Sequence, residues 1–132
     1  MAKAKAVRRQ GYLHDVEVAG HKLVFDEPES AGGTNQGPSP TRVLAGALAA
    51  CTAITVEMYA ERKGWNLGDV EVDVEMEYDG PTPSAFEVTV RIPASLEPEQ
   101  QERLRVIAGK CPVHRALSSE TEVAITDVID CD

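Results

Sequence analysis

Three cysteines are the most reactive side chains in this 132-residue sequence, and their settings differ. Cys51 lies in the middle of an apolar run, Cys111 directly precedes a proline, and Cys131 is the penultimate residue. An odd number of cysteines with no CxxC pair is typical of neither a disulfide framework nor a zinc ribbon. Chain ends are usually mobile. We therefore expect any thiol chemistry at Cys51 or Cys111, and none at Cys131.

Electrostatics favour Cys111 as the more acidic thiol. It lies in the segment Lys110–Arg115, and a helix opened by Pro112 would point backbone N–H groups at its sulfur, which lowers a thiol pKa. Cys51 follows Pro40 by eleven residues. At 1.5 Å per residue it lies ~16 Å from the start of its helix, beyond the reach of the helix dipole. For both cysteines a structural role, as a buried or capping residue, stays open.

A metal site is a second possible chemistry for the same residues. Cys111 and His114 form a CxxH pair, and Cys51 would supply a third ligand of the type that zinc prefers. The five carboxylates that alternate along residues 71–79 indicate instead the solvated face of a strand, because same-face neighbours lie ~6.6 Å apart. No phosphate-binding glycine motif is present in the sequence.

The hydrophobic pattern predicts the element order ββ-α-ββ-α-β, which is typical of an α+β fold with helices on one side of an antiparallel sheet. The first predicted elements are a hairpin of strands 7–18 and 21–26 turning at Ala19-Gly20, a loop over 27–40, and a helix over 40–63 capped by Ser39 and ended by Gly64. A second hairpin follows, with a strand over 70–79, a turn over 80–84, and a strand with Phe86, Val88, Val90 and Ile92 facing inward. The last predicted elements are a helix over 98–110, a short helix opened by Pro112, and a strand over 123–129.

The helix over 40–63 is predicted to be the main helix of the core. Its apolar positions step by three or four residues, which predicts a single buried stripe. The stripe consists of Leu44, Ala47, Leu48, Cys51, Ile54, Thr55 and Met58. Small residues occupy positions 45–47, 49 and 50, which indicates either strong helix propensity or close approach of a second helix.

Composition excludes several classes of function. Hydrophobic residues make up 42% and charged residues 27% of the chain, which predicts one globular domain over residues 1–132. The net charge of −9 argues against nucleic acid and anionic membrane surfaces as partners. The longest weakly polar run, Val43–Val56, is shorter than the ~20 residues of a membrane span, and the N-terminus lacks a signal sequence. We therefore expect a cytoplasmic protein.

Two segments of the sequence resemble one known family. GGTNQGPSPTRVLAGALAACTAITVEMYAERKGW (32–65) resembles the central helix region of the osmotically inducible protein C and organic hydroperoxide resistance (OsmC/Ohr) family. EQQERLRVIAGKCPVHRAL (99–117) is similar to the second cysteine region of that family, in its OsmC-like branch. The order of elements is also similar, so the resemblance spans nearly the whole chain.

The resemblance implies a fold and a reaction. Members form an intertwined homodimer, with antiparallel sheets wrapped around long central helices and active sites at the subunit interface. They reduce hydroperoxides, organic ones in particular. Carried over, Cys51 is the peroxidatic thiolate that becomes a sulfenic acid, and Cys111 is the resolving thiol that forms a disulfide with it. An external dithiol or a lipoylated protein then reduces that disulfide. The resemblance implies no cofactor and no metal.

Two features of the resemblance bear on rate and substrate. The family places a glutamate in the first turn of the central helix, where this sequence reads Pro40-Thr41-Arg42-Val43. Peroxidase branches also hold the thiolate with an arginine from the N-terminal half, for which Arg8 and Arg9 are the candidates on the first strand. A dimer that binds a small apolar ligand or senses redox state, without turnover, is the alternative to the enzyme.

Overall fold

The computed structural model describes residues 1–131 as a mixed α+β protein, as predicted. Its elements are β1 (Ala4–Gln10), β2 (Leu13–Val18), β3 (His21–Phe25), a short 3₁₀ helix (Glu29–Ala31), α1 (Pro40–Lys63), β4 (Glu71–Asp79), β5 (Thr82–Arg91), α2 (Pro98–Ala108) and α3 (Pro112–Leu117). The chain divides into two compact units. One comprises residues 1–46 and 76–86, and the other comprises residues 47–75 and those from Glu87 onward.

The first sheet has three antiparallel strands in the order β1-β2-β3, where the sequence predicted two. The predicted single strand over 7–18 is wrong, because a turn at Gly11-Tyr12 divides it and Gly11 has a positive φ of 56°. The predicted turn at Ala19-Gly20 is confirmed. Both of its residues have positive φ, 49° and 84°, which matches the right-handed twist of the flanking strands.

The loop after β3 is organised by one buried carboxylate. Asp26 is only 2% exposed and accepts hydrogen bonds from the Glu27 N–H (2.7 Å), the Thr34 hydroxyl (2.8 Å) and N–H (3.3 Å), and the Gln36 N–H (3.1 Å). Gly33 packs so closely that a Cβ there would lie 2.0 Å from the Glu27 carbonyl oxygen. Burial raises the pKa of Asp26, but the hydrogen bonds, led by that from Gln36, lower the pKa below its usual range.

Replacement of this carboxylate should change the acid stability of the protein. Because the pKa of Asp26 is lower folded than unfolded, its stabilisation is complete above the unfolded value near 4 and is lost as pH falls through the folded value. Asp26→Asn should therefore lower the thermal midpoint at pH 7 and flatten its fall below pH ~4. Thermal unfolding from pH 7 to 2 measures this, with exposed Asp79→Asn as the control. Parallel pH profiles for wild type and Asp26→Asn would contradict it.

The predicted helix over 40–63 is confirmed as α1 at both ends. The Val43 N–H donates to the Ser39 carbonyl at 3.0 Å, and Gly64 follows the last turn with a positive φ of 72°. The buried stripe differs from the predicted one. Its wholly buried residues are Leu48, Thr52, Val56 and Ala60. Ile54 and Met58, predicted as core, are 56% and 57% exposed, so a second apolar face of α1 is uncovered in the described chain.

The core of the second unit forms where α1 and α2 pack together. Its buried residues are Val56, Ala60, Leu67 and Leu104, and partly buried residues surround them: Tyr59, Trp65, Val70, Ile92, Leu96 and Ala108. α2 ends at Ala108 rather than 110, and its start carries a reciprocal capping box between Glu97 and Gln100. Arg103 donates to the Tyr59 hydroxyl at 2.9 Å and lowers the pKa of that phenol, mainly through this bond.

β4 and β5 form a two-stranded sheet joined by the Gly80-Pro81 turn, so the predicted turn over 80–84 is shorter than expected. The alternation predicted for β4 is confirmed as far as Met76, because the carboxylates are exposed and the residues between them from Val72 are half-buried. Tyr78, predicted on the same face as Met76, is exposed. Asp73 forms an ion pair with Arg91 of β5. Phe86, Val88 and Val90 of β5 are half-buried, as predicted.

The predicted last strand over 123–129 is wrong, since residues 119–131 contain no regular element. Its apolar side chains are exposed, namely Val123, Ile125, Val128 and Ile129. A strand needs a neighbouring edge for its backbone hydrogen bonds, and no strand of the described chain pairs with this segment.

α1 also corrects the expectation that no stretch of the chain is long enough to cross a membrane. Its 24 residues and a mean hydropathy of 1.6 over an 18-residue window meet the requirements of length and composition. The core helix of a soluble protein meets the same requirements.

Candidate active site

The two cysteines predicted to carry chemistry are joined to each other. Cys51 and Cys111, sixty residues apart in sequence, form a disulfide with Cα atoms 5.8 Å apart. This separation lies inside the range of roughly 4.4–6.8 Å that a disulfide requires. Cys131 is free and exposed, as expected for a residue next to the chain end.

Different elements hold the two sulfurs. Cys51 lies in the middle of α1, beside the buried Thr52, and is itself half-buried. Cys111 caps the N-terminus of α3, where its Sγ accepts a hydrogen bond from the His114 N–H at 3.5 Å. Pro112 occupies the first helical position, where its missing N–H removes no intrahelical bond. The predicted helix start at Pro112, with an N–H directed at the Cys111 sulfur, is confirmed.

The two sulfurs differ in access to solvent. Cys111 is 0% exposed, whereas Cys51 retains partial exposure. A reductant in solution therefore has no direct contact with Cys111 in this structure. The relative acidity of the two thiols concerns the reduced state, and the greater acidity of Cys111 stays a prediction.

A cleft of about 1,100 Å³ is lined by sequence neighbours of both cysteines, although neither cysteine lines it. Thr52, the neighbour of Cys51, and Lys110 and His114, which flank Cys111, all line it. Its apolar walls come from β5, the loop after it and α2, through Val88, Val90, Ile92, Ala94, Leu96, Leu104, Val106 and Ala108. Polar and charged residues make up much of the remaining lining, and a concave site that combines apolar walls with polar groups is the usual form of a small-molecule site.

The charged residues of the cleft are mostly cationic, although the whole chain carries −9. Arg105 is paired with Glu102, with Nη2 2.5 Å from Oε1, and this hydrogen bond raises the pKa of Arg105 and lowers the pKa of Glu102. Arg115 contacts Glu120 at 3.6 Å. Lys110 has no ion-pair partner among the described residues. The cleft is therefore compatible with neutral or anionic molecules.

Sequence reasoning missed two polar residues of this site. The Thr52 hydroxyl and the His114 Nδ1 are the buried side-chain N or O atoms that lack a hydrogen-bond partner within residues 1–131. His114 was considered as a metal ligand and as one of the residues near Cys111, but not as a polar group that lines a cleft. One signal could have identified Thr52. It directly follows Cys51 and lies four residues from both Leu48 and Val56, so it shares a helix face with two apolar residues.

The candidate arginines have other contacts within the first unit. Arg8 donates to the Gly11 carbonyl at 2.8 Å, and Arg9 forms an ion pair with Asp15 at 2.9 Å. The first turn of α1 contains no acidic residue, so the departure from the family pattern noted in the sequence is present in the helix itself.

The metal alternative at Cys51, Cys111 and His114 requires the reduced state of both cysteines. Both sulfurs are joined in the disulfide, and thiolate is the form of cysteine that binds zinc. Within residues 1–131, no three His, Cys, Asp or Glu side chains lie close enough together to hold a metal ion.

The fold and the site define a class of α+β proteins in which a long helix and a short helix hold two distant cysteines beside an apolar cleft. A family model described as OsmC-like protein matches residues 33–126, and the chain belongs to this family. No curated protein matches the chain. The match begins in the loop organised by Asp26 and includes both cysteines.

Solved structures agree with this assignment. An organic hydroperoxide resistance protein OsmC from Legionella pneumophila is 25% identical, with a TM-score of 0.65, and the match covers 89% of this chain and 88% of that one. An OsmC-like protein from Mycoplasma pneumoniae is 20% identical, with a TM-score of 0.75 and coverage of 89% and 87%. The organic hydroperoxide resistance protein OhrB of Bacillus subtilis is 22% identical, with a TM-score of 0.60 and coverage of 88% and 89%. At 20% and 22% identity the similarity shows the fold alone.

Proposed function

We propose that this protein is a thiol-dependent hydroperoxide reductase that acts on organic hydroperoxides through Cys51 and Cys111. The observation that carries the proposal is the Cys51–Cys111 disulfide, which is the oxidised state that such a cycle requires. The neighbouring cleft supplies apolar surface for an organic substrate. The relatives from Legionella pneumophila and Bacillus subtilis are named as organic hydroperoxide resistance proteins.

The reaction proceeds in three balanced steps. The Cys51 thiolate attacks the outer oxygen of ROOH, the O–O bond breaks, and the departing RO⁻ takes a proton to become an alcohol. Cys51 is then a sulfenic acid. The Cys111 thiol displaces its hydroxyl group as water, which forms the disulfide. An external dithiol reduces the disulfide to two thiols and becomes a disulfide itself.

The different burial of the two sulfurs supports these roles. A peroxidatic sulfur must meet a substrate from solvent, and Cys51 is the partly exposed member of the pair. A resolving sulfur needs only to reach its partner, and Cys111 is wholly buried with a Cα 5.8 Å from that of Cys51. The cap of α3 holds Cys111 in this position through the His114 N–H.

We also propose that the protein acts as a homodimer in the cytoplasm. The apolar face of α1 that contains Ile54 and Met58 is uncovered in one chain, as is the apolar segment 123–129. A second copy would cover the first face and supply an edge for the second. In the cytoplasm thiols are kept reduced, so a disulfide there is transient and the reductant is a dithiol or a lipoylated protein.

Multiple turnover with a defined peroxide tests the proposal directly. Reduced wild-type protein should consume cumene hydroperoxide continuously with dihydrolipoamide as the electron donor, releasing one cumyl alcohol for each dithiol oxidised. The rate with hydrogen peroxide should be lower, because that molecule gains nothing from the apolar cleft. Peroxide loss no faster than in protein-free buffer, with the thiols confirmed as reduced, would reject the enzyme.

A dimer that binds a small ligand or senses redox state is the second candidate. The lack of an acidic residue in the first turn of α1, together with the apolar cleft, favours it. The double variant Cys51→Ser/Cys111→Ser tests it with the apolar fluorophore 1-anilinonaphthalene-8-sulfonate. Retained binding by this variant, combined with no turnover by wild type, would favour the binding protein.

A further inference from the structure

Two buried polar atoms for which residues 1–131 supply no hydrogen-bond partner belong to residues close in sequence to the paired cysteines. Thr52 follows Cys51 on α1, and His114 lies three residues after Cys111 on α3. Both residues line the same cleft. Buried polar atoms are nearly always hydrogen-bonded in native proteins. Two exceptions in one cleft, each close in sequence to one of the paired cysteines, indicate a place where a bound molecule supplies the missing partners.

The buried Thr52 hydroxyl is unusual in having no hydrogen-bond partner among the described residues. A threonine inside a helix commonly bonds its hydroxyl to the carbonyl one turn earlier, here that of Leu48. Thr52 makes no such bond, although its side chain is only 1% exposed. Water therefore has little access to it, and a ligand oxygen in the cleft would satisfy it.

His114 has one group that is hydrogen-bonded within the described residues and one that is not. Its backbone N–H donates to the Cys111 sulfur at 3.5 Å, which fixes the residue at the start of α3. Its ring Nδ1 is buried and lacks a partner among the described residues. An imidazole nitrogen both donates and accepts hydrogen bonds, depending on the tautomer. This nitrogen is therefore suited to giving a proton to an oxygen held in the cleft.

We propose that the Thr52 hydroxyl and the His114 Nδ1 bind the inner oxygen of the hydroperoxide, the one bonded to carbon. The inference rests on the proposed reductase function. When the Cys51 thiolate bonds to the outer oxygen and the O–O bond breaks, the electron pair moves to the inner oxygen. That oxygen takes a proton from Nδ1–H and leaves as the alcohol, and the imidazole regains its proton from solvent. The apolar walls of the cleft hold the organic group.

Variants of Thr52 separate this role from a structural one. Thr52→Val keeps the shape of the side chain but removes the hydroxyl, so kcat/KM for cumene hydroperoxide should fall about tenfold, the value of one to two hydrogen bonds. Thr52→Ser should restore most of the rate. The thermal midpoint of Thr52→Val should stay equal to that of wild type or rise, because an unsatisfied buried hydroxyl is removed. Thr55→Val, one turn along and outside the cleft lining, is the matched control.

His114 variants test the second group. His114→Asn keeps a polar side-chain group near the position of Nδ1, whereas His114→Phe removes it. We expect His114→Phe to lose about tenfold in kcat/KM and His114→Asn to lose less. Unchanged kcat/KM in both Thr52→Val and His114→Phe would overturn the inference. A fall in kcat/KM that is equally large in Thr52→Val and Thr52→Ser would also overturn it.

Binding of the product alcohol gives a readout that does not depend on turnover. Cumyl alcohol should bind the oxidised wild-type protein, and Thr52→Val and His114→Phe should each weaken its Kd about fivefold while Thr55→Val leaves it unchanged. Titration calorimetry measures these constants. If wild type binds the alcohol with this pattern but reduces no hydroperoxide, the reductase fails and the polar pair stands as a binding site. If the alcohol does not bind, or binds all variants equally, the inference is overturned.

Discussion

Cys51→Ser should abolish the reduction of organic hydroperoxides, lowering kcat/KM by about three orders of magnitude or more. A serine hydroxyl stays protonated at neutral pH and is a far weaker nucleophile than a thiolate, so the first bond to the peroxide oxygen does not form. Steady-state consumption of cumene hydroperoxide with dihydrolipoamide measures this loss. The half-buried position of Cys51 accommodates serine, and circular dichroism should show unchanged secondary structure.

Cys111→Ser should behave differently, and this difference defines the two roles. The variant retains the attacking thiolate, so one equivalent of peroxide is consumed and Cys51 accumulates as a sulfenic acid that dimedone labels. Multiple turnover with a dithiol should slow sharply, because no protein disulfide forms. Cys131→Ser, which changes the exposed cysteine outside the pair, should match wild type in both assays.

The reversed result would overturn the proposed roles. The capping bond from the His114 N–H to Cys111 is an electrostatic reason for Cys111 to be the more acidic thiol. Reduced Cys51→Ser and Cys111→Ser can each be alkylated with iodoacetamide across a pH series, which gives the pKa of the remaining thiol. Sulfenic acid that forms only at Cys111, in Cys51→Ser, would make Cys111 the attacking residue.

The sequence predicted those features whose signals are local. Both ends of α1 were correct because Pro40 and Gly64 act on the adjacent turns only. The start of α3 was correct for the same reason. The division of β1 from β2 was missed because one glycine, Gly11, interrupts an otherwise continuous strand pattern, and its positive φ follows from the pairing of two strands.

The site required information that no local pattern holds. Sixty residues separate Cys51 from Cys111, and spacing along the chain does not fix the distance between them. Only the resemblance to the OsmC/Ohr family indicated that they act as a pair. The polar atoms of Thr52 and His114 become notable through the absence of partners in the described structure, which depends on tertiary packing. The stripe of α1 was misassigned because both of its faces are apolar.

The second apolar face of α1 is the surface that the proposed dimer would bury. Ala47, Ala50, Ile54 and Met58 are exposed and recur at steps of three and four residues, so they share one side of α1. The alanines at the N-terminal end leave room for another backbone, and the larger side chains supply apolar area. A two-fold contact would place this face against its own copy.

Charges placed on this face should therefore separate the dimer into monomers. Ile54→Glu and Met58→Glu each introduce a carboxylate that a two-fold axis brings close to its own copy, and burying like charges against each other costs several kcal/mol. We expect the dimer dissociation constant to rise at least about 100-fold in the double variant. Sedimentation velocity at micromolar concentration should show a dimer for wild type and a monomer for the variant.

Thr89→Glu supplies the matched control, because it adds the same charge at an exposed position of β5. It should sediment as wild type does. A double variant of Ile54 and Met58 that stays dimeric would place the interface elsewhere on the chain, and a monomeric wild type would reject the dimer. The double variant also shows whether the cysteine chemistry depends on assembly. If the second chain completes the site, turnover should fall in proportion to the fraction of dimer. In the single variant Ile54→Glu, a higher protein concentration should then restore both the dimer and the turnover.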